Sequence, residues 1–136
     1  MRLCLLRLAL AAKPWCSVDN QELQRGGVSY SIDTVRNYAQ NSNDELFYLI
    51  GADNVPCLPK WRDSDELALL AQFVAIPRPG QRECPFPQPF RGRFLTGFPV
   101  AVSSSQIRSR IKAGLPVDHL VPSTVAEAIR NNGLYL

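Results

Sequence analysis

Leu46-Phe47-Tyr48-Leu49-Ile50 is a continuous apolar run between Asn43-Asp44-Glu45 and Gly51. It is too short for a core helix and lacks the alternation of a half-exposed strand. It therefore predicts a strand buried on both faces, as in a parallel sheet. Phe73-Val74-Ala75-Ile76 repeats the pattern, and residues 94–102 predict a third strand. Between the first two, Asp63 to Leu70 predicts a helix with an acidic first turn. This alternation of strand and helix predicts an α/β three-layer sandwich with a mostly parallel sheet, in one domain over residues 1–136.

Outward from the strands, residues 2–12 predict an amphipathic helix with leucines 3, 6 and 10 as its stripe, ending before Pro14. Residues 16–23 predict a short strand and turn, and Arg25-Gly26-Gly27 a flexible loop. A helix near residues 32–41 would bury Ile32, Val35 and Tyr38 or Ala39. Pro77 to Pro89 is too poor in backbone donors for regular structure and predicts a surface loop. A basic helix follows the third strand, and Pro122 to Asn131 forms a last helix closed by Gly133.

Composition bounds the answer more than it selects one. The 136 residues are 46% hydrophobic and 20% charged, ordinary for a globular chain, and long enough to bury a core without staples. The formal charge of +3 suits a phosphate-bearing small molecule as well as a nucleic acid. Cys4, Cys16, Cys57 and Cys84 form no CxxC pair and His119 is the only histidine, which argues against a zinc site or disulfide framework and for a reducing cytoplasm. Arg7 interrupts the apolar N-terminal run, so it reads as a helix rather than a signal peptide, and no stretch reaches membrane-span length.

In open parallel sheets ligands sit at the carboxyl ends of the strands. Gly51-Ala52-Asp53-Asn54 follows the first strand, Pro77-Arg78-Pro79-Gly80 the second, and Ser103-Ser104-Ser105 the third; together they predict one crevice. The serine run opens a basic helix, where unpaired amides and the helix dipole favour an anion. Arg108 falls four residues after Ser104 and three after Ser105, so its guanidinium would stack over their hydroxyls. Phosphate is the matching ligand, and an ordinary helix cap is the competing reading.

Five motifs in order resemble the bacterial nicotinate-nucleotide adenylyltransferases. Glu22-Leu23-Gln24-Arg25-Gly26-Gly27-Val28-Ser29-Tyr30-Ser31-Ile32-Asp33-Thr34 is similar to that family's E-L-x-R-G-G-x-S-Y-T-x-D-T segment. Gly51-Ala52-Asp53 with Lys60-Trp61 resembles its G-A-D…W element, and Arg78-Pro79-Gly80 its R-P-G. Val102 to Arg108 resembles I-S-S-T-x-I-R, and Asn132-Gly133-Leu134-Tyr135 a common close. The resemblance implies a Rossmann-like nucleotidyltransferase fold and transfer of AMP from ATP to nicotinate mononucleotide, with Mg²⁺. It implies that Ser104, Ser105 and Arg108 hold the ATP phosphates and that Asp53 accepts hydrogen bonds from a ribose. Trp61 would stack on the pyridine ring, Tyr30 and Ser31 would receive the nicotinate carboxylate through backbone groups, and Arg78 would join the mononucleotide site. Read without the family, Trp61 could equally be a rim or core aromatic, Asp53 a turn residue and Arg78 a solvated charge.

Serine stands at Ser31 and Ser105 where the family has threonine, which keeps the hydroxyl. The family's opening G-x-F-x-P-x-H-x-G-H, whose histidines face the ATP phosphates, has no counterpart, and His119 reads as a surface or capping residue. These features imply an N-terminally truncated, catalytically impaired chain with its catalytic residue unassigned. The competing expectations are a non-catalytic nucleotide-binding remnant and a basic nucleic-acid module using Arg108, Arg110 and Lys112. The latter is disfavoured because the bases are interspersed with acids. Oligomeric state is open, and so is the choice between nicotinate and nicotinamide mononucleotide.

Overall fold

The computed structural model describes residues 1–97 and 101–136 and divides them into two compact units. Residues 21–101 form the sheet unit; residues 1–20 with 102–136 form a helical unit.

The sheet unit contains strands β1 (Phe47–Gly51), β2 (Gln72–Ile76) and β3 (Gly92–Phe94), all parallel in the order β1-β2-β3. Helices flank the sheet, giving the α/β Rossmann-like arrangement expected. Beneath one face lies a core of Ile32, Val35, Val55, Leu58, Leu67, Ala68, Ile50, Phe73 and Ala75. Of the two strands read as buried on both sides, only β2 is: Phe73, Val74 and Ala75 are all buried in succession. In β1, Tyr48 and Ile50 face the core, whereas Phe47 is 51% exposed and Leu49 60% exposed. Alternate residues take opposite faces; at β1 only the face of Tyr48 and Ile50, shared with Phe73 and Ala75, is packed, while Val74 of β2 is buried on the other. The third strand begins two residues early, at Gly92, and ends at Phe94. Of the rest of the expected strand, residues 95–97 and 101–102 are not strand, and residues 98–100 lie outside the described residues.

Two helices of the sheet unit were legible and one was not. Helix α3 (Ser31–Asn41) buries Ile32 and Val35, but Tyr38 is exposed. Helix α4 (Ser64–Leu70) buries Leu67 and Ala68. Where a strand was expected up to residue 23, a one-turn helix α2 (Gln21–Arg25) forms instead. Side chains tie it to α3. Arg25 donates to Thr34 Oγ1 (3.2 Å), Thr34 donates to Glu22 Oε1 (2.9 Å), and Asn37 donates to Gln21 Oε1 (2.9 Å). Such partners support a helix too short to persist alone. Gly26 and Gly27, both at φ 68°, then turn the chain towards α3.

A 3-10 helix over Ala52–Lys60, longer than such helices usually run, follows β1. With three residues per turn, Ala52, Val55 and Leu58 fall on one buried face, and Trp61 is next in that series.

In the helical unit, α1 (Arg2–Leu10), α5 (Ser104–Lys112) and α6 (Ser123–Asn131) surround Ile111, Val117, Val125, Ala126 and Ile129. The packing stripe of α1 is Leu5, Leu8 and Ala9, not the leucines at 3, 6 and 10; Leu6 is exposed. Helices α5 and α6 end alike. Gly114 (φ 67°) and Gly133 (φ 56°) take the left-handed conformation, and Leu115 and Leu134 donate back to Arg110 and Ile129 carbonyls. Among the described residues no helix is long and apolar enough to cross a membrane.

Candidate functional site

The sheet unit brings Ser31 and Trp61 together through Tyr48, which the sequence marks only as one member of an apolar run. Its hydroxyl lies 2.9 Å from Ser31 Oγ, and its ring meets Trp61 edge-on at 6.1 Å between centroids. Tyr48 also leans on Phe73 (5.7 Å), which packs edge-on against Phe90 (5.2 Å). This aromatic chain anchors Trp61 by the preferred quadrupolar geometry. Trp61 arrives there because the 3-10 stripe delivers it, and its backbone N–H closes the helix on Leu58 O (3.0 Å).

Tyr30 occupies the residue before α3 with extended backbone (φ −112°, ψ 137°) and offers no side-chain cap. The Arg62 guanidinium lies over its ring, 4.5 Å from the centroid. Tyr30, Ser31 and Trp61 are all partly buried, whereas Arg62 is exposed. Arg62 was missed in the sequence; its adjacency to Trp61 was the available signal.

Asp53 and Arg78 occupy corresponding places beyond the sheet. Gly51 pairs with Ile76 at the carboxyl ends of β1 and β2, and each residue lies two positions further on. Both are exposed. Gly51 gives Asp53 room, since a Cβ there would stand 2.5 Å from Asp53 Oδ1. Arg78 begins a tight turn in which its N–H donates to Gln81 Oε1 (3.1 Å) and its carbonyl accepts from Gln81 (2.9 Å).

One ion-pair cluster stabilises the same unit. Arg36 binds Glu66 through Nε (2.6 Å) and Nη2 (2.5 Å), binds Asp63 (2.9 Å), and lies 3.6 Å from Asp33. The hydrogen bond from Arg36 draws the Glu66 carboxyl below its ordinary range, and Glu66 in turn raises the already high Arg36 pKa. Asp63 takes a left-handed backbone (φ 49°) at the start of α4, immediately after Trp61-Arg62.

The serine run lies in the helical unit. Ser103 is the cap, accepting the Gln106 amide at 3.1 Å. The expected stacking of Arg108 over the hydroxyls is realised with Ser105, at 3.3 Å from Nη2 to Oγ. Ser105, Arg108, Ser109 and Lys112 share a helical stripe and, with Tyr135 and Leu136, line a depression of about 480 Å³. In the same unit, Asp118 pairs with Arg130 (2.7 Å), whose guanidinium holds the acid below its ordinary range.

No family model matches the chain. Individual relatives do. The nicotinate-nucleotide adenylyltransferase of Bacillus subtilis is 41% identical over 136 residues, covering 98% of this chain and 70% of its own length. The chain belongs to the nicotinate-nucleotide adenylyltransferase family. Probable members from Herpetosiphon aurantiacus and Dehalococcoides mccartyi are 37% and 35% identical, covering 99% and 98% of the chain and 72% and 71% of their own lengths. The family is one of nucleotidyltransferases, and the motifs that pointed to it are those whose side chains were located above.

Proposed function

We propose that the chain binds nicotinate mononucleotide and the magnesium complex of ATP for adenylyl transfer in NAD biosynthesis. A phosphate oxygen of the mononucleotide attacks the α-phosphorus of ATP; the bond to the β-phosphate oxygen breaks, giving nicotinate adenine dinucleotide and pyrophosphate. The observation that carries this reading is the Tyr48 anchor, which holds Ser31 and Trp61 side by side at the start of α3.

Trp61 stacks on the pyridine ring, and backbone groups at Tyr30 and Ser31 face its carboxylate. Asp53, an acceptor-only group beyond β1, suits a ribose hydroxyl, and Arg78 adds positive charge on the mononucleotide side. Independently, Ser104, Ser105 and Arg108 hold ATP phosphates, where fixed donors favour the charge growing on the pyrophosphate. Mg²⁺ enters with the triphosphate it neutralises. Among the described residues no group of three or more His, Cys, Asp or Glu side chains is placed to hold an ion. The four cysteines are free thiols, in keeping with the reducing cytoplasm we propose for the protein.

Calorimetry with each substrate tests the reading. Trp61→Ala abolishes nicotinate mononucleotide binding and spares that of magnesium–ATP. Arg108→Ala weakens ATP at least tenfold, about 1.4 kcal/mol, and spares the mononucleotide. Unchanged affinities in either variant remove that residue from its site. Binding of both substrates with no pyrophosphate release assigns the chain to nucleotide binding without turnover.

A further inference from the structure

Arg62 carries chemistry that the preceding reading does not use. Its guanidinium is seated over the Tyr30 ring at 4.5 Å. Two of the acids that follow it, Asp63 and Glu66, bind Arg36 instead. Among the described residues, no carboxylate forms an ion pair with Arg62. A guanidinium resting on an aromatic face keeps its N–H donors in its own plane, directed away from the ring. Arg62 is exposed, so those donors are open to a ligand.

Its position indicates which part of the ligand they meet. Arg62 directly follows Trp61, and Tyr30 directly precedes Ser31; Tyr48 touches both Ser31 and Trp61. The free cation is thus tethered to the residue that would stack on the pyridine. A substituent on a ring stacked against Trp61 would lie within a side-chain length of Arg62, whereas the 5′-phosphate would lie across the ribose.

We propose that Arg62 is the charge-selecting residue of this pocket, engaging the ring carboxylate of nicotinate mononucleotide and so favouring the acid over the neutral carboxamide. The inference rests on the assignment of Tyr30, Ser31 and Trp61 to the mononucleotide. A carboxylate offers two acceptor oxygens to the guanidinium fork. A carboxamide offers one, and turns its own NH₂ donors towards the cation. The Tyr30 ring restricts the arginine beforehand, so less side-chain freedom is lost on binding.

The test is calorimetric comparison of nicotinate and nicotinamide mononucleotides on the chain, Arg62→Met and Arg62→Lys. The unsubstituted chain prefers the acid by about tenfold or more. Arg62→Met weakens the acid by that factor and leaves the amide within about twofold, and Arg62→Lys restores part of the preference. Raising the salt concentration erodes the preference in the chain but not in Arg62→Met. An undiminished preference in Arg62→Met overturns the proposal. Equal weakening of both nucleotides also does so, since it places Arg62 on the shared phosphate or in the fold. If the chain binds neither nucleotide, or binding survives Trp61→Ala, the pocket assignment itself falls and Arg62 with it. Binding that needs Trp61 but ignores Arg62→Met overturns the Arg62 role alone.

Discussion

Gly51 and Gly92 look alike in the sequence and differ in what surrounds them. A Cβ on Gly51 would meet the Asp53 carboxylate oxygen at 2.5 Å, the free end of an exposed side chain. A Cβ on Gly92 would meet the Phe86 ring at 2.4 Å and the Phe73 carbonyl at 2.7 Å. The first obstacle turns aside; the second includes backbone of the central strand. Gly51→Ala is therefore expected to unfold in urea within about 0.5 kcal/mol of the parent while losing affinity for the nucleotide whose ribose Asp53 is proposed to hold. Gly92→Ala is expected to cost about 1–3 kcal/mol in the same titration. Equal stability losses in the two variants would contradict this distinction. The candidate site residues Ser31, Asp53, Trp61 and Arg108 could be singled out in the sequence because they sit in short motifs. Tyr48 and Arg62 were not: the value of each lies in partners 17 and 32 positions away, Ser31 and Tyr30.

Elements show the same division between local and distant causes. Helices α3, α4, α5 and α6 were readable from apolar spacing, caps and closing glycines, all of which act within a few residues. Helix α2 was hidden because Thr34 and Asn37 of α3 support it. The 3-10 helix was written in the sequence as Ala52, Val55, Leu58 and Trp61, a period of three that lies between the helix and strand templates. Helices α3 and α4 are joined by Arg36, and this joint titrates. The folded state favours charged Glu66 more than the unfolded chain does, through its Arg36 hydrogen bond. That contribution is complete above the usual carboxylate range and fades as pH falls through it, roughly from pH 5 to 3. Urea midpoints at pH 7 and 3.5 should accordingly fall less in Glu66→Gln than in the parent. Parallel losses would remove Glu66 from the acid response. The pair is solvent-exposed, so added salt should narrow the difference.

For the molecule as a whole, alternating apolar runs and helices were enough to expect a parallel α/β sheet, and the three strands confirm that architecture. What the runs could not reveal was one-sidedness. Phe47 and Leu49 are as apolar as Tyr48 and Ile50, and only their neighbours in space distinguish covered from uncovered. Among the described residues β1 is also an edge of the sheet, so apolar side chains and an edge coincide. Leu49→Thr, which puts a polar residue of good strand propensity on the open face, should raise the concentration at which light scattering first detects association. An unaltered onset would show that self-association does not begin at this face.

The seat of Trp61 has a photophysical consequence. The chain has two tryptophans. Trp15, in the helical unit, is 75% exposed with the Lys13 ammonium 5.3 Å from its ring; Trp61, in the sheet unit, is half-buried against Tyr48. Iodide or acrylamide will therefore strip the emission of Trp15 first and leave a bluer residue of light from Trp61. A pyridine stacked on that indole would darken the remainder, giving the pocket an optical reporter that needs no dye.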